Sequence, residues 1–212
     1  MTGMARLLSG PGIAAGLVAA ILVAGSAFPA RAQVTLLDST PCPAERAVYE
    51  LRVPDSEAVW RLSLVPARTM ASMASDLYLR LTTPQRAYWF TFSVAQGYGG
   101  VSVFPVTDPY AEAGPKNLLG PPFGDNPDGA SGEDVGNWLR FLLLDAELDV
   151  GFDPPMRGDA APAYIFLPEL GQGLWYAAAA FTDDPAADRD PMPVGLFRHS
   201  ACLAVPPPPA LP

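Results

Sequence analysis

The chain has 212 residues, half of them apolar, and its 22 acidic side chains against 13 basic ones give a formal net charge of −9. An acidic surface of this kind repels phosphate backbones and anionic headgroups, which makes nucleic acid and anionic lipid poor partners, and no nucleic acid is expected. One histidine and two cysteines supply too few nitrogen and sulfur ligands for zinc. The chain also carries no phosphate-binding loop and no G-x-S-x-G nucleophile elbow.

The first thirty-two residues read as a secretory signal. Arg6 and the free amine supply positive charge, and "IAAGLVAAILVAGSAF", Ile13 to Phe28, is an uncharged apolar run. Small residues in "ARA", Ala30 to Ala32, stand where a signal peptidase inspects the chain, so the cut falls before Gln33. The run is shorter than the roughly 20 residues a membrane span requires, and no later stretch is long enough to hold the mature chain in a membrane. The expected location is periplasmic or secreted. Loss of Arg6 and Arg31 with the signal takes the net charge from −9 to −11. Lys116 is the sole lysine, and alanine, glycine, proline and arginine are abundant, as a GC-rich bacterial genome imposes.

Cys42 in "STPCPAE" and Cys202 in "RHSACLAV" lie near the two ends of the mature chain. An even count in an exported protein predicts that they are joined.

Between them the dominant pattern is alternation with period two. Strands are predicted at "AVYELRV" (Ala47 to Val53), "AVWRLSLV" (Ala58 to Val65), "LYLRLTT" (Leu77 to Thr83), "AYWFTFSVA" (Ala87 to Ala95) and "GVSVFPV" (Gly100 to Val106). "PDSE", with Pro54 and Asp55, is the first turn. In the fourth segment Tyr88, Phe90, Phe92 and Val94 form the apolar face, which turns Trp89 outward beside Thr91 and Ser93. An outward tryptophan is a candidate binding platform for a sugar ring or a protein partner. Trp60, in step with Leu62 and Leu64, and Trp175 read as core.

"FGDNPDGASGEDVGNW", Phe123 to Trp138, concentrates four carboxylates in an otherwise apolar chain. Its nearest functional reading is a calcium site using Asp125, Asp128, Glu133 and Asp134. Pro127, however, takes a position where the twelve-residue calcium loop needs an oxygen ligand. The segment is therefore read as a connection, and no metal or other cofactor is expected. A short helix is predicted near 134–143, started by Asp134, running into a strand on which Asp145, Glu147 and Asp149 share one face. Carboxylates so placed would stand roughly 7 Å apart along the strand, a spacing compatible with the acid pair of a glycosidase.

Later strands are predicted at "AYIFLP" (Ala163 to Pro168), "LWYAAAAF" (Leu174 to Phe181) and "VGLFRHSACLAV" (Val194 to Val205). His199 lies in the last and is read as a strand residue rather than a catalytic base. "PPPPALP" cannot join a central strand and is predicted to be a mobile tail.

The expected architecture is all-β, an antiparallel β-sandwich or jelly-roll-like domain. It comprises a signal peptide (1–32), one domain (33–205) and a proline-rich flexible tail (206–212). The expected function is a non-catalytic binding or interaction module for a protein or carbohydrate ligand. The alternative is a carboxylate-dependent hydrolase acting on polysaccharide.

Overall fold

The computed structural model describes residues 41–94, 100–119 and 139–212. After a 3-10 turn (Ala44–Arg46) come strands β1 (Ala47–Arg52), β2 (Val59–Pro66), β3 (Leu77–Thr82), β4 (Ala87–Val94) and β5 (Val101–Val106). Then follow β6 (Arg140–Leu144), β7 (Val150–Gly151), β8 (Tyr164–Phe166), helix α1 (Leu170–Tyr176), a 3-10 turn (Ala178–Phe181) and β9 (Phe197–Cys202). The all-β expectation holds.

The sandwich does not. β1 to β5 form an antiparallel meander, β1 also pairs with β9, β9 with β8, β8 with β6, and β6 returns to β5 through Val101↔Phe141 and Ser102↔Arg140. Eight strands thus close into a barrel, with the two-residue β7 attached to the end of β6. Alternation predicts which face of a strand is apolar, and that face can line a sandwich or a barrel equally well. The difference lies in the β6–β5 and β9–β1 pairings between distant segments, which local pattern does not encode.

The inward positions follow the sequence alternation. Tyr49, Leu62, Leu64, Leu79, Leu81, Phe90, Phe92, Val103, Phe141, Ile165 and Phe197 are all buried and belong to one core. An eight-stranded barrel is only wide enough for side chains to fill it or to hold one small ligand, and here large side chains fill it. Outward positions on β1 to β3 carry Glu50, Arg52, Arg61 and Arg80, and Glu50 bridges Arg52 and Arg61 at 2.8 and 3.0 Å. The first hairpin turns at Pro54 and Asp55 as predicted, with Asp55 at φ 63°, a conformation that aspartate tolerates better than most residues.

Three segments depart from expectation. Residues 174–181 are not a strand: α1 and the 3-10 turn bury Leu170, Leu174, Ala178 and Phe181. That spacing is helical, and an alanine run favours it. Residues of a helix reach a barrel core only through an open end, so this segment covers one, with Phe181 against Phe90 at 6.4 Å between ring centroids. Residues 140–144 are strand rather than the end of a helix; 134–138 lie outside the described residues.

The tail at 206–212, expected to be mobile, is packed against the barrel. Ala210 is fully buried, and its backbone donates to Pro66 O and accepts from Arg68 N, both at 2.8 Å, in a parallel bridge with Ala67. Proline removes N–H donors but leaves carbonyls, and a non-proline pair, Ala210 and Leu211, supplies the donors.

Cys42 and Cys202 are bonded, with Cα atoms 5.9 Å apart. The bridge sits where β9 meets β1, at Ala47↔Cys202, and so staples the seam that closes the barrel. Among the described residues no helix is long and apolar enough to cross a membrane.

Candidate functional site

The carboxylates expected on one strand face lie in a tight turn instead. Asp145 Oδ1 accepts the backbone N–H groups of Glu147 (3.0 Å) and Asp149 (2.9 Å), and Asp145 N donates to Asp149 O. Leu148 takes φ 70° to complete the reversal from β6 to β7. The acid-apolar alternation of this stretch is thus a turn built around an aspartate, whose side chain commonly bonds its own backbone two residues on. Asp145, Glu147 and Asp149 are exposed, and the geometry of an acid pair facing across a strand is absent here. Asp125, Asp128, Glu133 and Asp134 lie outside the described residues. Among the described residues no group of three or more His, Cys, Asp or Glu side chains is placed to hold a metal ion. His199 is exposed on β9, its Nε2 3.1 Å from Ala201 O and its ring 5.5 Å from that of Tyr49.

Trp89 does point to the outside of the barrel, as its register requires, yet it is only 5% exposed. Tyr110 meets its ring edge-on at 5.6 Å, Arg80 lies over it at 5.2 Å, and the tail residue Ala210 packs in the same cluster with Val65, Ala67, Tyr78 and Val106.

A pair of accessible aromatics lies elsewhere. Leu170 and Leu174 turn into the core, which leaves the opposite side of α1 to Trp175 and Tyr176, 40% and 76% exposed. Facing them is the extended segment Pro191–Val194, of which Val194 is 70% exposed. Between the two runs a groove of about 540 Å³, walled also by Val53 and Trp60 and rimmed by Ser56 and Gln172.

Its walls are held from below. A Cβ at Gly171 would stand 2.6 Å from the Met192 carbonyl oxygen, so only glycine lets α1 approach the strap this closely. Asp190, 1% exposed, fixes the strap to both sides. Its Oδ2 accepts from Thr83 Oγ1 (2.6 Å) and Tyr88 Oη (3.0 Å), while its N–H donates to Leu174 O at 3.1 Å. Burial, with the Asp190 charge second, pushes the Tyr88 hydroxyl far above its ordinary pKa and keeps it a proton donor. Arg189 stacks on Trp175 at 5.1 Å from the ring centroid. Trp60 is 7% exposed, and its Nε1 has no hydrogen-bond partner among the described residues.

Compared with family models, with curated proteins and with solved structures, the chain finds no match. Sequence reasoning missed this groove because it read 174–181 with a strand period. Read with the 3.6-residue period of Leu170, Leu174 and Ala178, the same residues put Trp175 and Tyr176 on the opposite side.

Proposed function

We propose that the chain is an exported, non-catalytic binding module, periplasmic or secreted, and that it takes an apolar segment of a protein partner into the groove between α1 and Pro191–Val194. The supporting observation is the pair Trp175 and Tyr176, exposed beside Val194 on a groove whose walls are otherwise proline, methionine, valine and tryptophan. Large exposed aromatics bring contact area at little conformational cost and dominate binding energies where they occur. A sugar ring needs several directed polar partners as well as a stacking face, and Ser56 and Gln172 are the polar groups at the rim; an apolar peptide suits this composition better. The hydrolase alternative rested on Asp145, Glu147 and Asp149 sharing a strand face, and a turn held by Asp145 gives it no support.

Selection of displayed peptides on the full chain tests the reading. Enriched peptides should carry apolar or aromatic anchors and lose at least tenfold in affinity against Trp175→Ala. Peptides that bind the variant equally well, or a polysaccharide panel that binds or is cleaved while no peptide is enriched, would contradict it.

A further inference from the structure

The tail that packs into the Trp89 cluster is held as a ligand would be. Tyr110 Oη donates to Pro208 O at 2.6 Å and Tyr78 Oη to Leu211 O at 2.9 Å, while Leu211 N donates to Pro109 O at 3.0 Å. Ala210 N and O bond Pro66 O and Arg68 N. Ala210 is fully buried in the cluster that holds Trp89, whereas Pro208, Pro209 and Pro212 are exposed and Pro207 and Leu211 partly so. One small side chain enters the pocket, and the remaining hold is on the backbone. Tyrosine hydroxyls reaching the carbonyls of a proline-rich segment beside buried aromatic rings are how aromatic grooves read such segments, whose stiffness limits the entropy lost on binding.

From these contacts we infer that the outer face of β2 to β4, with the loop 107–119, is a binding site for proline-rich extended segments of the form Pro-Pro-Ala-Leu-Pro, and that the chain's own residues 206–212 occupy it. The site is separate from the α1 groove, and neither depends on the other. The tail leaves the barrel at Cys202, bonded to Cys42, through Leu203 to Val205, whose apolar side chains are exposed. It therefore competes with any incoming segment at an effective concentration set by this short tether. Tethers of that kind give values on the order of millimolar. A free peptide of the same sequence has equal affinity, so it displaces the tail when its concentration matches that value.

The test adds the synthetic peptide Pro-Pro-Pro-Pro-Ala-Leu-Pro, spin-labelled at its N-terminus, to the full-length protein. Paramagnetic broadening of the Trp89 indole N–H is followed up to about 10 mM peptide, several times the effective concentration of a short tether. Expected is saturable broadening that a peptide with Asp in place of its alanine does not produce. The full-length variant Ala210→Asp, whose own tail no longer fits, should bind the peptide at least tenfold more tightly than the wild type. No broadening at Trp89 at the highest concentration, or equal broadening by the two peptides, would overturn the inference. So would a folded Ala210→Asp variant that ignores the peptide. If that variant does not fold, the wild-type titration decides.

Discussion

Trp89 illustrates how far single residues can be read. Its outward register follows from the alternation of Tyr88, Phe90 and Phe92, but its burial depends on residues apart in sequence: Tyr110 and Arg80 lie against its ring, and Tyr78, in the same cluster, bonds Leu211 across a separation of 133 residues. Trp89→Ala should accordingly cost about 3–5 kcal/mol of stability, as truncation of a buried tryptophan does, and urea unfolding would measure it. Tyr176, 76% exposed, should tolerate alanine within about 0.5 kcal/mol. Asp190→Ala removes the acceptor shared by Thr83 and Tyr88 and should cost about 1.5–3 kcal/mol, the usual worth of hydrogen bonds to a charged group.

The tyrosines also set an alkaline limit. Burial pushes Tyr78 up to about 12 from an ordinary 10.0, and raises Tyr49 and Tyr88 further. Above a pH of about 10 the unfolded chain loses these protons while the folded one keeps them, so stability falls as pH rises. Below that value their contribution is complete. Melting temperatures should be insensitive to these groups from pH 7 to 9 and fall above pH 10; a flat profile to pH 11.5 would refute the assignment.

Elements were legible where one pattern was unopposed. The five strands of the meander came out within a residue or two because each pairs with its sequence neighbour and buries alternate side chains. The 145–149 segment misled because acidic and apolar residues alternate in it by accident of a turn, with Leu148 at a positive φ. Non-glycine residues pay roughly 1–2 kcal/mol there, and Leu148 is 53% exposed, so Leu148→Gly should raise stability by about 1 kcal/mol in denaturant unfolding with an unchanged slope. The reverse sign would mean that the Leu148 side chain contributes packing its exposure does not suggest. At α1 a strand period was imposed on residues whose buried set has a helical one, and the candidate site was lost with it.

For the whole molecule, closure is the property that no local stretch carries. It depends on β9 reaching β1 and on β6 reaching β5, and the disulfide secures the first of these seams. The cysteine pairing itself was readable from an even count and the expectation of export. With a separation of 160 residues, the chain-entropy model assigns the bridge about 5 kcal/mol. Reduction should lower the denaturation midpoint markedly, and a midpoint unmoved by reductant would show that the seam holds without it.

Closure also leaves function to the ends and outer faces, since the interior is filled by side chains. On the proposed reading, the groove between α1 and Pro191–Val194 takes the ligand. That reading is tested most directly by recording chemical-shift changes in the full-length protein as peptides selected for binding are titrated in. The largest shifts should fall on the Trp175 indole, the Met192 methyl and the Val194 methyls, and Tyr176→Ala should reduce affinity at least tenfold without moving the melting temperature. Shifts centred on the Asp145–Asp149 turn, with those groove signals unmoved, would contradict it.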